Sequence, residues 1–188
     1  AARRLLEDAR DQLAAVLGCQ PIEIVFTSGG TEAANLALKG LWWARPEGTD
    51  AVVLPDGEHH ATLDVVAWLA SAEHAAVRAV RLDERGRIDL DAFCTALPGA
   101  AVATALVANN EVGTLQDAAG LASAASGAGV PLHLDAVSAL GHVEVDFAGW
   151  RGGGSSPGGL AAMSVSAHKV GGPVGVGELV GPELGELL

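Results

Sequence analysis

Val102-Ala103-Thr104-Ala105-Leu106-Val107 is an almost unbroken apolar run. Such a strand has no polar face to offer water, so it belongs inside a parallel sheet with both faces covered. The runs at Ile22–Thr27, Ala51–Leu54, Val77–Leu82 and Pro131–Asp135 also predict strands. So do Val143–Val145 and residues 161–166 and 174–180. Between them lie segments of helical period. Residues 3–17 carry Leu5, Leu6, Ala9, Leu13, Val16 and Leu17 at that spacing, closed by Gly18. Helices are also predicted over 33–43, 61–74, 89–97 and 117–127. Alternating strands and helices predict an α/β fold, a mostly parallel sheet flanked by helices, as a single domain over 1–188.

The strands end in polar or glycine-rich clusters. These are Ser28-Gly29-Gly30-Thr31, Glu58-His59-His60, Asn109-Asn110-Glu111, Asp135 and Ser166-Ala167-His168-Lys169. An open α/β sheet binds its ligands at the carboxyl ends of its strands, so these clusters mark one site along one edge. The Gly-Gly turn feeds a helix N-terminus, where backbone N–H groups and the Thr31 hydroxyl suit an anionic phosphate. A Walker A lysine is absent, which argues against a nucleotide triphosphatase. His59 and His60 are adjacent and diverge, with no third ligand at a convincing spacing, so no metal site is expected. Either could stack on a flat ligand or simply cap the helix that follows.

The chain has two lysines, Lys39 and Lys169. Lys169 alone has a serine and a histidine just before it and glycines just after. An amine in such a loop can condense with an aldehyde cofactor. Asp135 ends an apolar strand, and a carboxylate there must be paired or solvated. The net charge of −12 argues against nucleic acid as a partner. No apolar run reaches membrane-spanning length. The amphipathic N-terminus is not a signal peptide, so a cytoplasmic protein is expected. Cys19 and Cys94 lack metal or disulfide spacing and are read as packing residues.

Five motifs in order, Phe26–Glu32, Glu58-His59, Asn109–Gly113, His133–Ala136 and Ser166–Lys169, resemble those of the cysteine desulfurases. These are class V aminotransferase relatives with the type I pyridoxal-phosphate fold. The resemblance implies pyridoxal 5'-phosphate as cofactor, carried by Lys169, which would also move protons at the substrate Cα. Asp135 would pair with the pyridinium nitrogen. His59 would stack on the ring and act in acid–base steps. Asn110 would contact the phenolic oxygen, and Gly30, Thr31, Ser166 and His168 would hold the phosphate. The family's usual glutamine three residues after the aspartate is Ser138 here.

The implied reaction removes sulfur from L-cysteine, giving alanine and an enzyme persulfide for iron–sulfur cluster or thio-cofactor assembly. A homodimer and a sulfur-acceptor protein are the implied partners. The resemblance covers the large domain only. The family's extreme N-terminal segment is not seen in it, nor is the C-terminal domain with its persulfide cysteine and carboxylate-binding arginine. The glycine-rich stretch 151–159 resembles an insertion. A selenocysteine or C–S lyase, an aminotransferase, or a non-catalytic remnant of the fold would share the same motifs.

Overall fold

The computed structural model describes residues 2–152 and 158–181. The elements run α1 (Ala2–Leu17), β1 (Ile24–Thr27), α2 (Gly30–Trp43), β2 (Ala51–Pro55), α3 (His60–Ala72), β3 (Ala76–Val80) and α4 (Leu90–Ala96). They continue β4 (Ala100–Leu106), α5 (Ala118–Ala128), β5 (Pro131–Asp135), α6 (Phe147–Arg151), β6 (Gly159–Ser166) and β7 (Gly177–Val180).

The strands form one seven-stranded sheet in the order β1-β7-β6-β5-β4-β2-β3. Pairs from β6 through to β3 are parallel, and only β7 runs antiparallel to its neighbours β6 and β1. The expected mostly parallel α/β sheet is therefore the fold. All of β4 is buried, as its apolar run requires.

Strand alternation divides the core in two. Leu132, Leu134, Ala103, Ala105, Met163 and Val165 pack on one face with Leu17, Phe93, Leu121 and Phe147. Ala101, Val102 and Ala162 pack on the other with Leu38, Trp42, Val65 and Leu69 of α2 and α3. On that second face, three neighbouring strands carry a buried polar ladder. The Thr104 hydroxyl lies 3.0 Å from His133 Nδ1, and His133 Nε2 lies 2.8 Å from the Ser164 hydroxyl. A neutral imidazole satisfies both contacts without bringing a charge into the core.

Local chemistry sets several helix starts. Asp89 and Asp117 accept from the N–H groups of Ala92 and Gly120, capping α4 and α5. Buried Glu23, before β1, pairs with Arg151 at the end of α6 and ties the first strand to a helix late in the chain.

Two expectations are corrected. Val143–Val145 is not a strand; the segment makes only an isolated bridge, Leu140 with Val143. The segment follows β5, both of whose sides are already taken by β4 and β6, so it has no place beside the strand it leaves. Cys94 is not a packing residue: it lies exposed on α4, whose buried contacts come from Phe93. Cys19 is partly buried against the core, and burial pushes its thiol upward. The glycine-rich stretch called an insertion falls largely on residues 153–157, outside the described residues. Among the described residues no helix is long and apolar enough to cross a membrane, and no cluster of metal-ligating side chains occurs.

Candidate active site

The carboxyl ends of the parallel strands point to one rim of the sheet, on the α2 and α3 side. A cavity of about 140 Å³ opens there, lined by Gly30, Thr31, His59, Asp135, Ser138 and Lys169 among others. A second cavity of about 290 Å³ adjoins it and shares Ser138 and Lys169, with Asn110 and His142 on its walls. Residues scattered from 30 to 169 in the chain thus meet through strand order alone.

The turn after β1 begins α2 with Gly29 as N-cap and no side-chain cap. The first N–H groups of a helix have no partner within it and are free for an anion. Glu32 accepts the Ser28 N–H at 2.6 Å, which fixes the turn and holds its own carboxyl below the usual carboxylate range. A side chain on Gly30 would start 2.5 Å from a Val137 methyl, so any larger residue would push into the cavity wall.

Gly177 of β7 meets the same turn from behind. A Cβ there would lie 2.6 Å from Gly29 Cα, against backbone that cannot swing away. Gly177→Ala should therefore displace the turn. The expected cost is about 1–3 kcal/mol of stability, together with weaker phosphate binding. Thermal melts and phosphate titration check this, and a variant with unchanged melting and affinity would refute the close packing.

His59 caps α3: its Nδ1 accepts the Ala61 N–H at 3.1 Å. That bond fixes the ring while it lines the cavity. Asp135, at the end of β5, is buried, and its Oδ1 accepts the Val137 N–H at 3.0 Å. Burial raises its carboxyl above the ordinary value, opposed by that N–H and by the charges of His59 and Lys169.

Lys169 stands on a short 3-10 helix, Ala167–Val170, immediately after β6. Its neighbour His168 also lines the first cavity, with Nδ1 2.8 Å from the Ser166 hydroxyl. Ser166 is buried at the end of β6 behind His168. The His142 imidazole Nε2 lies 3.1 Å from the Lys169 carbonyl oxygen.

Seven of the residues singled out in the sequence therefore share the first cavity: Gly30, Thr31, His59, Asp135, Ser138, His168 and Lys169. Asn110 lies in the second cavity. Asn109 has a structural task instead. Its amide donates to the Gly57 carbonyl at 3.1 Å and its oxygen accepts from the N–H groups of Glu111 and Val112. Sequence reasoning missed His142 and gave Glu58 no task beyond marking the motif. Neither cysteine lines either cavity.

The donor set suits a flat, phosphorylated aldehyde. It offers a helix N-terminus for the phosphate, a lysine amine for the aldehyde and a deep carboxylate for a ring nitrogen. A side-chain-free wall at Gly30 leaves room beside Val137, where even a Cβ would intrude. The residues present fit pyridoxal phosphate.

A fold and site of this kind define a class of α/β protein whose strand ends suit a phosphorylated ligand. The class-V aminotransferase family model matches residues 1–187, and the chain belongs to that family. An IscS-like cysteine desulfurase from Mycobacterium tuberculosis (strain ATCC 25618 / H37Rv) is 43% identical over 185 residues, covering 95% of this chain and 45% of that protein. A solved NifS-like protein superposes with a TM-score of 0.87 at 29% identity, covering 97% of this chain and 48% of the other. SspA, solved in complex with cysteine, superposes with a TM-score of 0.86 at 30% identity, covering 95% and 49%. The chain spans about half the length of the relatives it matches.

Proposed function

We propose that residues 1–188 are the cofactor-binding domain of a pyridoxal-phosphate-dependent cysteine desulfurase. The observation that carries this reading is the cavity that unites Lys169, Asp135 and His59 with the start of α2. The likeness to cysteine desulfurases supports the choice of L-cysteine among amino acid substrates. The products are alanine and an enzyme persulfide for iron–sulfur cluster or thio-cofactor assembly by a sulfur-acceptor protein. Both cysteines of this chain are free, as a reducing compartment such as the cytoplasm leaves them.

When bound, pyridoxal phosphate supplies an electron sink for the substrate Cα. The N–H groups at the start of α2, with Gly30, Thr31, Ser166 and His168, would hold the phosphate. Asp135 would hold the ring nitrogen, where a buried anion favours the protonated form. His59, fixed by its own cap bond, would bind beside the ring and do acid–base work. Lys169 would anchor the cofactor and move a proton at the substrate Cα. Asn110 and Ser138 would contact the phenolic oxygen; the short Ser138 hydroxyl reaches less far than the family's glutamine.

The loops around the second cavity expose Val112, Leu115, Val170 and Val174. Apolar side chains grouped at a site's mouth support a homodimer with its sites at the interface.

The test is to add pyridoxal phosphate, record the visible spectrum, reduce with borohydride and map the modified peptide. A yellow protein labelled at Lys169 is expected. Release of alanine and sulfide from cysteine by the parent-length protein completes the test. A protein that binds no cofactor at either length would refute the reading.

A further inference from the structure

Glu58 lies one residue before His59 and has no part in the roles above. It is buried at 7% exposure. Its Oε1 accepts the Leu106 N–H at 2.7 Å. Leu106 ends β4 and is in register with Asp135 of β5, and the next residue, Val107, donates to the Asp135 carbonyl at 2.9 Å. Glu58 is thereby fastened to the strand beside Asp135. Its second oxygen, Oε2, is enclosed by protein without a hydrogen-bond partner. Among the described residues no lysine, arginine or histidine forms an ion pair with it.

The titratable groups around this point are Asp135 on β5, His59 at the start of α3, and Lys169 after β6. The charges of His59 and Lys169 favour ionised Asp135, which also accepts the Val137 N–H. Glu58 has one N–H and no cation. Two neighbouring buried carboxyl groups do not both ionise cheaply, and the better-supported one takes the charge.

We propose that Glu58 is a positioning residue: a buried, proton-bearing carboxyl that braces the β4 side of the cavity and leaves Asp135 as the one carboxylate presented to the ligand. The benefit to the ligand rests on the function proposed above; the protonation does not. Burial, reinforced by the charge of Asp135, pushes the Glu58 carboxyl up to about 8. The same burial logic keeps catalytic carboxylic acids neutral at pH 7 in other enzymes.

Infrared spectroscopy on the cofactor-free protein, with and without carboxyl-labelled glutamate, tests this. At pH 7 the spectrum should contain a protonated-carboxyl band that shifts with the label and titrates away around pH 8. Among the described residues Glu178 is the other buried glutamate pushed upward, and Glu178→Gln removes it as a source. The band should survive in that variant and vanish in Glu58→Gln. Asp135→Asn should move its midpoint to lower pH, a response that a purely structural carboxyl would not give. Glu58→Gln keeps an acceptor for the Leu106 N–H and should retain the wild-type melting temperature, whereas Glu58→Ala should lower it. No label-sensitive band at pH 7 in Glu178→Gln, or a midpoint indifferent to Asp135→Asn, overturns the proposal. Failure of borohydride labelling at Lys169 would instead refute the proposed function and leave the Glu58 band as it was.

Discussion

Lys169→Ala should give a folded protein in which borohydride fixes no pyridoxal phosphate at all. The side chain is exposed on a single 3-10 turn and contributes nothing to either core. Truncations at such positions change stability by roughly ±0.5 kcal/mol. The loss of attachment at the site should nevertheless be complete, because no second lysine lines either cavity. Lys39 is the only other lysine, and its ammonium is held 4.4 Å over the Trp68 ring, between α2 and α3. It lines neither cavity. Under the function proposed above, loss of the Lys169 amine in the parent-length protein should lower turnover by about 10²–10⁴-fold, with loss of the anchor adding to it. Melting curves and peptide mapping after reduction check the two halves. A retained label would place the anchor elsewhere; an unfolded variant would mean that the loop supports the core.

The second large effect is an acid-induced loss of stability centred on His133. Between the Thr104 and Ser164 hydroxyls the ring is fully buried, and burial pulls its pKa down to about 4. The unfolded histidine titrates near 6.5. Between those values the unfolded chain binds a proton that the native state refuses, so stability falls as the pH drops from about 6.5 to 4. At 1.36 kcal/mol per pH unit the loss approaches 3 kcal/mol at pH 4. Glu58 has the opposite sign: raised to about 8 when folded, it binds its proton more tightly in the native state and costs stability as the pH rises through 4.5–8. Asp135 acts in the same sense as Glu58. His133→Gln carries these carboxyl contributions unchanged. The stability of wild type minus that of His133→Gln should therefore drop by about 3 kcal/mol between pH 7 and pH 4. A pH-independent difference would mean that the ladder accommodates a charged ring.

Much of this arrangement is legible in the sequence because its signals are local. Apolar runs such as Val102–Val107 announce buried strands, and their polar ends announce the rim. Strand order and the side that each helix takes are not local, yet parallel connections have few solutions, and the rim gathers the carboxyl ends of the parallel strands whichever solution is taken. Val143–Val145 shows the limit. Its β-branched residues suit a strand, but sheet membership depends on an open neighbour within reach, and both sides of β5 are taken, which a window of three residues cannot reveal. Cys94 fails likewise: helix period marks a face, but α4 is short and buries little besides Phe93. His142 reaches Lys169, 27 positions further along the chain, and Glu58 reaches Leu106, 48 positions further along. No spacing rule signals contacts of that kind. The buried polar ladder was half visible, since His133 interrupts an apolar strand and needs partners, but Thr104 and Ser164 become those partners only through register.

The single reversed strand has a consequence for how the protein comes into being. β1 touches the sheet only through β7, a segment more than 150 residues later in the chain. Pairings between such distant segments form slowly because a long loop must close first. As a ribosome delivers the chain from its N-terminus, the central parallel strands can assemble while the first strand and its glycine turn wait. The glycine turn, proposed above to hold a phosphate, is thus braced only once β6 and β7 have emerged. Under the function proposed above, a chain stalled before β7 would lack the grip to retain its cofactor.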